Sequence, residues 1–403
     1  MNRKHLALFG LTLYGHVKPT LGLVAELVRR GHQVTYFIGE QHADLVAETG
    51  ATVVAHKSGV DQYPMPLSAR DSVLALADES FAPLPAAMAL LADSPPDLIG
   101  YDVLVSDTAR ICARRFGVPL VRLYAGFAGS DTVPLDRVTE SERPAEAADL
   151  AQADFLALGR RIDELIDRAG AADLVVEHET PVPGDGALSV AFVPRAFQFR
   201  AEEFDDSVVF AGPGFRDSEF TGTWTPAEDG RPVVLISLGT TTNKRPEVLR
   251  RLLEAVRDQP WQVVMTIGRD GDPTALEPIP SNVEVHGWLD QHSVLRHASL
   301  FINQGGVGSV MQGLHWGVPL LVVTGEDDTE IAGHQVVGLG VGRQILDRDL
   351  TAELVRDEAL AVLADFSIAA NARVMSEHVR LPVTIEAADR MEALFTQQEV
   401  ARR

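Results

Sequence analysis

The sequence contains a single cysteine, Cys112, and few aromatic residues, which make up 6% of its 403 positions. One cysteine cannot form an internal disulfide, and its apolar neighbours are typical of a small core residue, with a nucleophilic role as the alternative. Long apolar runs are also missing, because the run at residues 5–9 breaks at Gly10 and is too short to cross a membrane. We therefore expect a cytoplasmic protein that does not insert into membranes.

Basic residues are scarce, since 35 Lys and Arg stand against 57 Asp and Glu, for a net charge of −22. Phosphate backbones and anionic membrane surfaces are held by clustered Lys and Arg, so this balance argues against nucleic acid and membrane partners. The simplest interpretation of the excess acid is solubility.

The length suits two domains, because a single core rarely grows beyond about 250–300 residues. A strand at residues 5–9, a loop at 10–19, a helix at 20–30 and a strand at 33–38 form a βαβ unit with a parallel sheet. The alternation returns with a strand near 103–105 that leads to Asp107, and it begins again at residue 233.

These repeats predict an α/β protein with two facing Rossmann-like domains, each a doubly wound parallel sheet, with a ligand cleft between them. Pro, Gly and acidic residues without periodicity predict the linker. The predicted ranges are 1–205 for the first domain, 206–230 for the linker, 231–384 for the second domain and 385–403 for a final helix that crosses back to the first.

A glycine-rich turn at residues 301–309 (FINQGGVGS) follows a strand and opens a helix. Free N–H groups and the positive dipole end at a helix start bind diphosphates, although such a turn also serves tight packing. A second turn at residues 237–243 (SLGTTTN) offers hydroxyl donors to the same phosphates.

Several motifs in the same order resemble the macrolide-type enzymes of glycosyltransferase family 1, which have the GT-B fold. Residues 15–21 (GHVKPTL) are similar to the family's Gly-His-Val-Asn-Pro opening, and residues 237–240 to its first donor loop. Residues 288–291 (WLDQ) stand at its Trp-Val-Pro-Gln, and residues 305–319 at its donor signature. The resemblance covers nearly the whole chain and implies an inverting transfer of a sugar from a nucleotide diphosphate to a hydroxyl.

The resemblance places the general base on His16 and its orienting carboxylate on Asp107. An imidazole that titrates near pH 6.5 suits this proton transfer. The structural alternatives are a His that closes a loop and an Asp that caps a helix before Thr108.

The resemblance also assigns the donor site. The diphosphate cradle would comprise Ser237, Thr240, Thr241, Gly305, Gly306, Gly308 and Ser309. Trp288 would stack on the base, or else fill the core, and Gln291 and Gln312 would meet the nucleoside. Gln304 replaces the His at the diphosphate, Gln312 replaces a Glu at the ribose, and Thr329 follows Asp328 in place of a sugar-binding Gln. These changes favour a dTDP-deoxysugar over UDP-glucose.

The same substitutions leave a second hypothesis open, in which an accessory protein on this fold has altered or lost nucleotide-sugar binding. We expect no metal and no cofactor beyond the nucleotide-sugar co-substrate, since acidic loops such as residues 326–330 are usually solvated. The expected partners are that donor and a small hydrophobic acceptor. The acceptor would lie near residues 63–91 and 124–127, whose apolar side chains core packing explains equally well. A homodimer stays an open option.

Overall fold

The computed structural model describes residues 3–60, 68–129, 152–174, 185–239, 245–269, 271–325 and 328–401. Two parallel sheets with flanking helices organise them, one in each half of the chain. The first half comprises β1 (His5–Phe9), α1 (Tyr14–Arg29), β2 (Gln33–Gly39), α2 (Ala43–Ala47), β3 (Thr52–His56), α3 (Ala69–Phe81), α4 (Leu84–Asp93), β4 (Leu98–Asp102), α5 (Asp107–Phe116), β5 (Leu120–Tyr124), α6 (Gln152–Ala169), β6 (Leu188–Ala191) and β7 (Val208–Phe210).

The second half repeats the alternation. It comprises β8 (Val233–Ser237), α7 (Pro246–Val256), β9 (Gln262–Thr266), β10 (Val283–His286), α8 (Gln291–Leu295), β11 (Ala298–Asn303), α9 (Val307–His315), β12 (Leu320–Thr324), α10 (Asp328–Gly338), β13 (Gly342–Leu346), α11 (Ala352–Ala364), α12 (Phe366–Val379) and α13 (Thr384–Ala401). This architecture confirms the predicted fold class of two doubly wound parallel sheets.

The strand order reverses at one point in each sheet. The first sheet runs β3-β2-β1-β4-β5-β6-β7 and the second β10-β9-β8-β11-β12-β13. The chain therefore leaves the centre of each sheet in opposite directions after β1 and β4, and after β8 and β11. Such a reversal opens a crevice at the carboxyl ends of the two central strands. The topology thus places one crevice in each half.

Three boundaries in the first half differ from the sequence prediction. Helix α1 begins at Tyr14, six residues before the predicted start, and continues through Pro19, which removes one N–H donor from its second turn. Strand β4 ends at Asp102 rather than near residue 107, because the buried run of residues 98–101 forms the strand. Strand β7 lies inside the predicted linker and pairs with β6.

Apolar contacts join the two halves. One cluster of buried side chains includes Phe127 and Phe197 from the first half and Phe301, Val310 and Leu314 from the second. The rings of Phe127 and Phe197 stack with centroids 5.6 Å apart. This shared core holds the two sheets against each other.

The final helix α13 packs on the first half. Ala388, Met391 and Phe395 enter its apolar core beside α1. At the edge of this contact the Arg30 guanidinium donates to the Glu392 carboxylate at 2.7 Å, and the His32 imidazole lies 2.7 Å from the other oxygen of that carboxylate. Packing and ion pairs together tie the end of the chain to its beginning.

One helical stretch, Arg70–Asp93, has the length and composition of a membrane span, and half of it is buried within the protein. It consists of α3 and α4 and carries the buried Glu79 carboxylate. That carboxylate accepts hydrogen bonds from the Ser58 hydroxyl at 2.8 Å and from the Gly59 amide at 2.6 Å. The stretch is thus a core element of the first half.

Candidate active site

A cleft of about 2060 Å³ lies between the two halves and is lined by the loops that follow their central strands. The loop after β1 and the start of α1 bring His16 into it from the first half. From the second half, the end of β8 brings Ser237 into it, and the turn after β11 with the start of α9 brings residues 304–309. The cleft therefore joins the two crevices that the strand orders define.

His16 is hydrogen-bonded to Asp102 in this cleft. Its Nδ1 lies 2.7 Å from Asp102 Oδ2, and the other Asp102 oxygen accepts a hydrogen bond from the Leu104 amide at 3.0 Å. The Asp102 side chain is 5% exposed, whereas His16 is 26% exposed and reaches the cleft. Because an ionised carboxylate only accepts hydrogen bonds, the neutral imidazole carries its proton on Nδ1 and keeps a lone pair on Nε2.

The prediction that Asp107 orients His16 is wrong. Asp107 is the first residue of α5, where its carboxylate accepts a hydrogen bond from the Ser80 hydroxyl at 2.6 Å. The prediction followed from ending the strand five residues late. Asp102 closes β4, and parallel pairing sets that strand directly beside β1. The sequence did contain a signal for Asp102, because this acid directly follows the apolar run at residues 98–101.

The turn between β11 and α9 faces His16 from the other half. Gly305 has φ +83°, and a Cβ there would lie 2.7 Å from the Thr324 methyl and 2.8 Å from the Thr329 carbonyl oxygen. Only glycine fits this backbone without strain. Gly306 then precedes α9, so the free N–H groups of its first turn, which includes Gly308 and Ser309, open towards the cleft.

Three neutral amides line the donor side of the cleft: Gln291, Gln304 and Gln312. The Gln291 amide donates to the Ser237 hydroxyl at 2.7 Å, and that hydroxyl also accepts from Thr266 at 2.8 Å. Ser237 thus holds Gln291 in place. The side-chain oxygens of Gln291 and Gln304 are buried and have no hydrogen-bond partner in the part of the chain that the structure describes.

Trp288 is 50% exposed and lines the cleft, so the alternative that it fills the core is wrong. The guanidinium carbon of Arg269 lies 4.5 Å from the centre of its ring. Such a cation over an indole stabilises the orientation of the ring.

The structure does not describe every predicted donor residue. Thr329 lines the cleft beside Gly305. Thr240, Thr241 and the side chain of Asp328 lie outside the described residues, as do residues 326 and 327 of the acidic loop. Within the described part of the chain, no three His, Cys, Asp or Glu side chains are grouped to hold a metal ion.

The wall beside His16 is apolar. Its side chains are Leu13, Val60, Val103, Leu104, Tyr124, Phe127 and Phe192. Residues 124–127 were predicted here, whereas Met88 and Phe81 pack in the core of the first half instead. The sequence reasoning missed Leu104, which is 46% exposed, because it assigned that residue to a buried strand.

Comparisons with known proteins agree with this geometry. The chain is 33% identical to the calicheamicin glycosyltransferase CalG4, whose crystal structure superposes on it with a TM-score of 0.79. The match covers 98% of this chain and 99% of CalG4. This likeness and the two-sheet cleft define a glycosyltransferase of the GT-B class.

Sequence relatives define the family further. The chain is 32% identical to the NDP-glycosyltransferase YjiC of Bacillus licheniformis, over 98% of both chains. It is 31% identical to the demethyllactenocin mycarosyltransferase of Streptomyces fradiae, over 97% of this chain and 87% of that one. Residues 250–394 match the family model for the C-terminal domain of erythromycin biosynthesis protein CIII-like proteins. The chain belongs to the macrolide-type glycosyltransferases of glycosyltransferase family 1, and it is a glycosyltransferase.

Proposed function

We propose that this enzyme moves a sugar, with inversion, from a nucleotide diphosphate to a hydroxyl of a hydrophobic natural product. The observation that carries the proposal is the His16–Asp102 pair, 2.7 Å apart, in a cleft whose other wall is the start of α9. A base and an anion-binding helix terminus face each other there, with room for both substrates between them.

His16 Nε2 would take the proton of the acceptor hydroxyl while that oxygen attacks the anomeric carbon. The bond from the anomeric carbon to the diphosphate oxygen breaks as the new glycosidic bond forms, and the diphosphate leaves with the electron pair. A single displacement of this kind inverts the configuration of the sugar. Asp102 stabilises the imidazolium that forms, because its buried carboxylate is held against Nδ1.

The leaving diphosphate would be met by the N–H groups at the start of α9, with Gln304 as a neutral donor beside them. The nucleoside would lie against Trp288, Gln291 and Gln312. A neutral amide at Gln312 favours a deoxyribose over a ribose with two hydroxyls to satisfy, so we infer a dTDP-linked deoxysugar as donor. Asp328 and Thr329 are the residues proposed to meet the sugar.

The acceptor would lie on the apolar wall of the first half. Leu104 and Val103 present uncharged surface to the cleft there, which suits a flat or macrocyclic apolar compound. Relatives named for calicheamicin and demethyllactenocin support an acceptor of the natural-product class.

A cytoplasmic location is part of the proposal. The single Cys112 is fully buried, and burial raises the pKa of its thiol to about 12, so it is an inert core residue. A chain without disulfide-forming cysteines suits a reducing compartment.

Isothermal calorimetry with dTDP and UDP, at low and moderate salt, tests the donor. We expect tight binding of dTDP and weaker binding of UDP, and the variant His16→Ala serves as a folded control that keeps the donor loops. Binding of UDP alone would overturn the dTDP preference. Binding of neither nucleotide would overturn sugar transfer and favour the accessory protein with a lost donor site.

A further inference from the structure

An aromatic contact crosses the mouth of the cleft. Tyr14 is the first residue of α1 in the first half, and Trp288 follows β10 in the second half. Their ring centres are 6.4 Å apart and their planes are perpendicular. Both residues line the cleft, so a nucleoside that stacks on Trp288 lies beside a side chain of the opposite half.

Trp288 offers limited free surface for stacking. Its ring is 50% exposed, and Arg269 already places its guanidinium carbon 4.5 Å from the ring centre. A base that stacks on the indole therefore meets Arg269 or Tyr14 as its next neighbour. Edge-to-face aromatic packing and cation–π contacts both stabilise such a stack.

A second contact holds the same turn of α1. Lys18 lies one helical turn after Tyr14, with its Nζ 5.5 Å from the centre of the Tyr14 ring and 3.0 Å from a Glu219 carboxylate oxygen. Burial alone would lower the pKa of Lys18, but the Tyr14 hydroxyl and the Glu219 carboxylate raise it above its ordinary value. Positions four apart share one face of a helix, so this face of α1 is anchored through Tyr14 and Lys18 together.

His16 lies between these two residues on the same turn. A residue two positions on is rotated by about 200° around a helix, and His16 accordingly reaches Asp102 on the other side. One rigid turn thus carries the contact with Trp288 on one side and the imidazole on the other. The placement of the nucleoside platform and the placement of His16 are linked through this turn.

We propose that Tyr14 is a binding residue for the nucleoside of the donor, supplied by the acceptor-binding half. It packs against the base of a nucleoside diphosphate stacked on Trp288. The inference rests on the proposed function, since it needs a nucleoside at Trp288. Tyr14 touches the bound nucleoside rather than the reacting atoms, so its effect falls on donor affinity.

The test compares Tyr14→Ala and Tyr14→Phe with wild-type enzyme by calorimetry with dTDP. We expect Tyr14→Ala to weaken dTDP binding roughly 3- to 10-fold, as aromatic pairs of this kind contribute, and Tyr14→Phe to stay within about twofold. Steady-state kinetics should show a raised KM for the donor with an unchanged KM for the acceptor. His42→Ala is the matched control, because it removes a ring of the same half that lies 6.2 Å from Tyr14.

The outcomes separate this inference from the proposed function. Wild-type enzyme that binds neither dTDP nor UDP overturns the proposed function, and with it the need for Tyr14. Wild-type binding with equal binding by Tyr14→Ala overturns the role of Tyr14 alone. A loss in Tyr14→Phe as large as in Tyr14→Ala, or an equal loss in His42→Ala, also overturns it. If Tyr14→Ala does not fold, Tyr14→Leu keeps an apolar side chain at the helix start and takes its place.

Discussion

The two walls of the cleft differ in how their polar atoms are paired. The first wall comes from the first half and surrounds His16, and the second comes from the ends of β8 and β11 and the segments that follow them. Around His16 the polar atoms are paired within the protein, with Asp102 held by both the imidazole and the Leu104 amide. On the opposite wall the side-chain oxygens of Gln291 and Gln304 are buried, and no hydrogen-bond partner reaches them among the described residues. Within that part of the chain, both Asp102 oxygens on the first wall are paired, whereas the second wall has two unsatisfied groups.

An unsatisfied buried polar atom costs roughly 1–3 kcal/mol, so two of them at one site destabilise the protein without its ligand. A bound diphosphate and nucleoside would supply partners for such atoms and recover that cost. Folding alone therefore arranges the proposed base, whereas the buried polar atoms of the second wall would gain hydrogen-bond partners only when the donor binds. Variants of His16 and Asp102 should therefore change turnover, and variants on the second wall should change binding.

The largest effect is expected from His16→Ala. Removal of a general base lowers kcat by about 10²–10⁴-fold, because the acceptor oxygen must then lose its proton to water. Binding of dTDP should stay unchanged, since His16 belongs to the other wall. Product formation with a hydroxylated aromatic acceptor measures kcat, and calorimetry measures dTDP affinity. A loss of dTDP affinity alongside the loss of kcat would contradict the assignment of turnover to His16 and of donor binding to the second wall.

The next largest effect on kcat should distinguish the carboxylates of Asp102 and Asp107. Asp102→Asn should lower kcat by roughly 10- to 100-fold, as part of what the general base contributes, because an amide does not stabilise the imidazolium. Asp107→Asn is the matched control and should leave kcat within about twofold, since Asp107 faces Ser80. The pH profile of kcat for each variant completes the comparison. Equal losses in the two variants would contradict the assignment of Asp102.

Substitutions of Gly305 and Gly308 in the donor turn should differ in their effect on protein stability. Gly305→Ala forces a Cβ into Thr324 and Thr329 at φ +83°, so we expect a loss of about 1–3 kcal/mol in the free energy of unfolding together with weaker dTDP binding. A Cβ at Gly308 meets no atom of the described residues within 4 Å, so Gly308→Ala should keep stability while it lowers dTDP affinity. Urea denaturation and calorimetry give the two quantities. Unchanged nucleotide affinity in both variants would remove the turn from the donor site.

The smallest effect is expected at Gln304. Gln304→Leu removes one hydrogen-bonding group at the diphosphate, and a single neutral hydrogen bond contributes about 0.5–1.5 kcal/mol, which is roughly 2- to 13-fold in dTDP affinity. The free energy of unfolding should stay the same or rise, because the substitution removes the buried Gln304 oxygen, which has no hydrogen-bond partner among the described residues. Thermal unfolding with and without dTDP checks both expectations. A clear loss of stability without nucleotide would show that the second wall is also complete on its own.

The sequence predicted the second half well and the site of the first half less well. Strand β8 begins at Val233, where the alternation was predicted to start again, and β11 leads into the predicted glycine-rich turn at residues 301–309. Their apolar runs are bounded by glycine and proline, which mark element ends clearly. In the first half, the loop predicted at residues 10–19 put the helix start at residue 20, and the apolar residues 103–105 suggested a strand. Packing against neighbouring strands overrode both local signals.

Periodicity and glycine-bounded runs were enough to determine that this chain forms two parallel α/β sheets, and the motif order was enough to place it among the glycosyltransferases. Those features are local, because burial of alternate faces and helix starts depend on a few adjacent residues. The partner of His16 was decided by tertiary structure alone. His16 and Asp102 are 86 positions apart and meet only because β1 and β4 pair in parallel, which sets their carboxyl ends side by side. The contact of Tyr14 with Trp288 has the same origin, since packing between the two halves brings the rings together and no local pattern encodes it.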